Sequence, residues 1–275
     1  MHPRIPLLAF AVGGGLIAAC VPHPAPERVR AEAAAGEMAR LPAGTYRLAW
    51  YSGPAHDIAT YVGVSPFLLD ATEVTVADYD ACVKAGRCTA AGAEVRWQGL
   101  TAPERAAWSP ACNQDRADRA DHPVNCVDWD QARAYCAWAG KRLPTEEEWE
   151  WAARNEREDT SYPWGNDPPA GQPCWDGARS EAAPAGRTGT CPAGGHPGDV
   201  TRSGVKDLAG NVWEWTSSDA VVFTDSRGRG GTPVKVARGG SWADTVPLRV
   251  SRAGRLLDLP WRRDARLGFR CASAP

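Results

Sequence analysis

The sequence predicts an α+β domain with little regular secondary structure: short strands, two or three helices and many pinned loops. Three observations point there. The 275 residues carry 13 Trp, 28 Gly and 23 Pro, a composition of heavy aromatic anchors set between turns. Apolar runs that fit strands are only a few residues long. Segments with helical period are equally short; each opens on a capping residue, and two end at a glycine stop.

The stretch around which the rest is organised is Lys206 to Thr216, K-D-L-A-G-N-V-W-E-W-T. A Gly-Asn turn leads into a strand whose period-2 alternation sends Trp213 and Trp215 to one face and Glu214 to the other. Two indoles on one face need much of the chain folded over them. Asn211 and Glu214 could present hard oxygen ligands to one ion; alternatively the Asn only makes the turn and the Glu meets an arginine.

Taken in order, residues 1–19 read as an export signal: Arg4, an apolar Leu7 to Ala19, and Leu16-Ile17-Ala18-Ala19-Cys20 at its end. This box resembles that of bacterial lipoproteins, with Cys20 as the lipidated residue. Nine cysteines are present; setting Cys20 aside leaves eight, an even number suited to disulfides in an exported chain. Residues 20–37, rich in Pro and Ala, read as a tether, and residues 38–275 as one domain. The expected location is the bacterial cell envelope. Val21, where Asp would favour inner-membrane retention, directs that expectation to the outer membrane, with the lipid as membrane partner.

Met38 to Tyr46 reads as a strand entered through Pro42-Ala43-Gly44, and Pro66 to Leu69 as another apolar run. Thr75 caps a helix from about Val76 to Ala85, stopped by Gly86. Residues 89–120 read as irregular. Asp128 caps a helix from about Asp130 to Ala139, stopped by Gly140. Thr145 and Glu148 form a capping box for a helix from Glu146 to about Arg154. From Tyr162 to residue 204 the chain is rich in Gly and Pro, a length that makes sense in a compact domain if staples or ions pin it. Short strands close the chain at Val234–Val236 and Leu267–Cys271, and no internal repeat is visible. Three cysteine pairs are local: Cys82–Cys88, Cys112–Cys126 and Cys174–Cys191.

Charge is nearly balanced, 31 Lys+Arg against 33 Asp+Glu, so no basic field exists to attract nucleic acid. His56, His122 and His196 sit alone without zinc spacing. Ser241 lies in a glycine turn with no His or Asp at a suggestive distance for a nucleophile. Arginines from Arg249 to Arg270 read as partners of Trp and carboxylates, or as the lining of an anionic-ligand groove.

Six ordered motifs, among them A-Y-C-A-W-A-G-K-R-L-P-T-E-E-E-W (Ala134 to Trp149), Y-P-W-G-N, G-N-V-W-E-W-T, R-G-G-S-W and L-G-F-R-C, resemble the formylglycine-generating enzyme (sulfatase-modifying factor) family over about Met38 to Cys271. The resemblance implies a divergent C-type-lectin-like fold and a bridge Cys136–Cys271. It also implies structural Ca²⁺ at Asn211 and Glu214, assisted by carbonyls of Ala209, Gly210 and Val212. A second calcium site of the family would need an Asn where Cys174 stands and an Asp near Ala185, so it is not expected. The family's oxidases bind copper with two cysteines in the segment after R-G-G-S-W, and soft thiolates are what that chemistry requires. Here the segment is Ala243 to Arg249, and no cysteine lies between Cys191 and Cys271. No copper is therefore expected. The expectation is a binding or scaffolding module for a protein or glycan, with an oxidase of non-standard centre as the alternative.

Overall fold

The computed structural model describes residues 36–47, 61–157, 160–177, 186–222 and 230–275. Cys20, the export signal, nearly all of the tether, His56 and Ala185 lie outside them. No helix among the described residues is long and apolar enough to cross a membrane.

The strands are β1 Met38–Leu41, β2 Gly44–Arg47, β3 Tyr61–Val64, β4 Phe67–Asp70, β5 Trp213–Val222, β6 Thr232–Arg238, β7 Arg255–Asp258, β8 Leu267–Gly268 and β9 Ala272–Ser273. They form a three-stranded sheet β1-β4-β9, a pair β2-β3 and a four-stranded sheet β7-β6-β5-β8. Pairing is antiparallel except for β5 with β8. What reads as one opening strand in sequence is thus two, because Pro42-Ala43 breaks it and sends its halves to different sheets.

Helices α1 Val76–Lys84, α2 Ala102–Trp108, α3 Trp129–Trp138 and α4 Glu146–Ala153 complete the set. All four begin with a reciprocal capping box, at Thr75/Asp78, Thr101/Glu104, Asp128/Gln131 and Thr145/Glu148. Each box satisfies two N–H groups that the helix start would otherwise orphan. Helix α2 corrects the reading of residues 89–120 as irregular. Two short 3₁₀ turns, Ser109–Ala111 and Ala117–Arg119, follow it.

Trp213 and Trp215 do share a face. They pack with Val76 and Tyr79 of α1, Tyr135 of α3, Leu267 and Phe269. Tyr79, Tyr135 and Phe269 meet with ring centroids 5.5–6.3 Å apart, in the stacked and edge-on arrangements aromatic quadrupoles favour. Helix α4 is fixed to β6 and β7 by buried charges: Arg238 donates to Glu150 at 2.8 Å, and Arg255 to Glu146 at 2.7 Å. Four disulfides close the framework: Cys82–Cys88, Cys112–Cys126, Cys174–Cys191 and Cys136–Cys271.

Candidate functional site

The turn before β5 is built on left-handed backbone, with φ of 86° at Gly210 and 52° at Asn211. A Cβ at Gly210 would meet the Cys174 carbonyl oxygen at 2.3 Å, so glycine is required there by both φ and space. Asn211, fully buried, is used in every direction. Its N–H donates to the Cys174 carbonyl at 2.7 Å, and its own carbonyl accepts from Trp242 N–H at 2.9 Å. Its Oδ1 accepts from Cys191 N–H at 3.0 Å, while its Nδ2 donates to Glu73 Oε1 at 2.9 Å.

Glu214 is equally committed. Arg270 donates to it through Nε at 2.7 Å and Nη2 at 2.8 Å, and Trp149 Nε1 donates at 2.9 Å. The backbone N–H of Ala209 donates to Asp199 Oδ2 at 2.9 Å and that of Gly210 to the Gly239 carbonyl at 2.8 Å. Asn211 and Glu214 therefore do not fit the role of paired calcium ligands. The Asn makes the turn and ties it to both cysteines, and the Glu meets an arginine, because a buried guanidinium demands a matching anion.

Around Arg270 the fold gathers acids that no sequence motif announced. Glu73, Asp199, Asp207 and Glu214 are all buried, and Glu73 Oε2, Asp199 Oδ1 and Asp207 Oδ1 find no hydrogen-bond partner among the described residues. Burial, and then the neighbouring Asp207, push the Glu73 and Asp199 carboxyls well above the usual carboxylate range. Burial also raises Asp207, against the pull of the Gly194 N–H and Arg270, and raises Glu214, against Arg270. Burial would lower Arg270, but Glu214 outweighs it and holds the guanidinium above its ordinary value. These upward shifts favour the protonated acids, because several uncompensated charges in one buried chamber are costly.

A cleft of about 820 Å³ lies beside the segment that follows R-G-G-S-W. Trp108 and Trp242 stand in it with ring centroids 5.9 Å apart. Arg116, Arg187, Arg249 and Arg266 line it together with Asp176 and Asp244. Arg266 sits over the Trp108 ring at 4.6 Å and pairs with Asp264 at 2.8 Å. Burial would raise the Asp264 carboxyl, but Arg266 and Arg262 bring it down to about 2. Arg262 likewise covers Trp97 at 4.9 Å, so these arginines are the Trp and carboxylate partners that the sequence suggested. Arg249 approaches Asp244 only to 3.5 Å and is half exposed.

Ser241 needs a correction. Asp244 Oδ2 accepts from the Ser241 hydroxyl at 2.7 Å, the Ser241 N–H at 2.8 Å and Trp213 Nε1 at 3.0 Å. The Asp that spacing failed to flag is thus present, and it fixes the turn. Beneath the cleft, Cys174, Cys191, Cys112 and Cys126 pack with Trp242 in one cluster. His122 is buried against the Thr190 hydroxyl at 2.9 Å, a structural position. His196 is not alone: its Nε2 lies 3.2 Å from Cys191 Sγ.

This geometry can be set beside known proteins. The sulfatase-modifying factor enzyme 1-like domain matches residues 24–275. The chain is 32% identical over 298 residues to the formylglycine-generating enzyme of Thermomonospora curvata, covering 91% of this chain and 97% of that one. It is 38% identical over 179 residues to the inactive C-alpha-formylglycine-generating enzyme 2 of Bos taurus, covering 62% of this chain and 57% of the relative. The match therefore spans little more than half the length of that mammalian relative. The structure of PvdO from Pseudomonas aeruginosa superposes with a TM-score of 0.62 at 22% identity, covering 87% of this chain and 95% of that one, a likeness of fold. The chain belongs to the sulfatase-modifying factor, or formylglycine-generating enzyme, family.

Proposed function

We propose that this domain is a binding or scaffolding module of the family, presented from a membrane by lipid on Cys20, and that it takes a protein or glycan ligand in the Trp108–Trp242 cleft. The observation that carries this reading is the composition of the cleft segment. Where the family's oxidases are expected to place two cysteines, Ala243, Asp244 and Thr245 line the wall, and Asp244 is spent on Ser241 and Trp213. Carboxylate oxygen and hydroxyl are poor ligands for Cu(I), so oxygen activation by copper thiolates has no donor set there. A cleft with aromatic walls and charged rims suits recognition instead.

Two measurements test the reading. Purified protein given copper, oxygen and a C-x-P-x-R peptide should leave the peptide cysteine unchanged; conversion to formylglycine would establish the alternative, an oxidase of non-standard centre. Full-length protein should partition into detergent and lose that behaviour on Cys20→Ser, and equal membrane retention of the variant would remove the anchor from the proposal.

A further inference from the structure

Cys174, Cys191 and His196 each bring one ligand atom within 4.8 Å of the others. The two sulfurs are bonded to each other, yet two features go beyond a plain staple. Arg187 Nη1 lies 2.9 Å from Cys191 Sγ, and His196 Nε2 lies 3.2 Å from the same atom. A disulfide sulfur is a weak acceptor, so this arrangement offers it more than it can use. The second feature is that the cysteine backbones are held without the S–S bond. Asn211 N–H binds the Cys174 carbonyl, Asn211 Oδ1 binds the Cys191 N–H, and Gly210 bridges to Cys174. Opening the bond would therefore leave two sulfurs and an imidazole facing one another.

We infer that reduction of Cys174–Cys191 turns this group into a Cys₂His site for zinc or a similarly thiophilic cation. A dithiol reductant supplies two electrons and two protons: its own sulfurs join, and the Cys174–Cys191 bond breaks to give two thiols. A divalent cation then displaces both thiol protons and takes His196 as third ligand. Two sulfurs and one imidazole match the donors such ions prefer, and three protein ligands leave a fourth position open. The site adjoins the cleft, since Arg187 lines it and Ala243 packs against the cluster holding both cysteines, but the inference does not depend on the binding-module reading.

The test uses the full chain. Graded dithiothreitol with differential alkylation and peptide mapping should open Cys174–Cys191 before the other three bridges. Anaerobic Co²⁺ should then bind one equivalent, with thiolate-to-cobalt absorption in the near ultraviolet that the oxidised protein lacks. His196→Ala keeps the disulfide and should weaken Co²⁺ binding about tenfold or more, at least what loss of an outer-shell partner costs. Prior opening of another bridge, absence of the thiolate absorption, or unchanged affinity in His196→Ala would each overturn the inference.

Discussion

Replacing Glu214 by Gln keeps the volume of the side chain and removes the charge facing Arg270. Arg270 is fully buried. Besides Glu214 it donates to the carbonyls of Asp70, Lys206 and Asp207 at 2.8–3.2 Å, and these bonds survive the change. What is lost is the matching anion, and breaking a buried ion pair from one side costs about 3–5 kcal/mol. The cost should vary with pH. Glu73 and Asp207 lie close enough to act on Arg270 and hold protons because burial raises both. The full cost is expected where Glu214 is ionised while Glu73 still holds its proton, and it shrinks in stronger acid because burial raises Glu214 as well. As pH rises through their raised values they ionise and partly replace Glu214, so the cost should fall. Urea denaturation of wild type and Glu214→Gln across pH 5 to 9, with m-values compared, checks this. A loss below about 1 kcal/mol at every pH would refute the argument, since surface-like pairs are worth no more than that. The same assay addresses calcium: because Glu214 and Asn211 are engaged, adding Ca²⁺ or chelator should leave the wild-type midpoint unmoved, and a clear Ca²⁺-dependent rise would restore them as ligands.

Two further outcomes follow from buried groups and bridges. For Asp199, raised by burial, the folded chain holds a proton that the unfolded chain releases once pH passes the ordinary carboxylate range. That stability is full below the unfolded value and is lost as pH rises towards the folded one, with a slope of about 1.4 kcal/mol per pH unit for one proton. Asp199→Asn keeps an oxygen for the Ala209 N–H and should remove that share of the slope; identical pH profiles of thermal stability would contradict it. Removing Cys136–Cys271 with paired alanines, sequence separation 135, should cost about 4–5 kcal/mol, against about 2–3 for Cys82–Cys88 at separation 6, on the loop-entropy estimate. Equal losses in chemical denaturation would show that strain or residual structure dominates.

Local chemistry was legible in the chain because it is written over a few residues. Thr75, Asp128 and Thr145 mark helix starts since the box that satisfies the first N–H groups spans only four positions, and each lies where expected. Alternation in W-E-W placed the indoles on one face, and short loops between cysteines indicated three of the bridges. The same rule was available for α2, where Thr101 and Glu104 flank Pro103, but that helix buries no residue and so lacks the apolar period that would have drawn attention to it. The rest depended on contacts between distant segments. Glu73 comes from the turn after β4, while Asp199 and Asp207 flank the Val200–Lys206 bridge before β5, and only packing makes them share one guanidinium. Asn211 is a turn residue in sequence, yet its amide joins Glu73 to Cys191 across 138 and 20 residues. The cleft likewise takes its walls from Trp108, Arg187, Trp242 and Arg266. Whether a carboxylate meets a cation, a proton or water is set by burial and by what lies opposite, and those are properties of the folded chain alone.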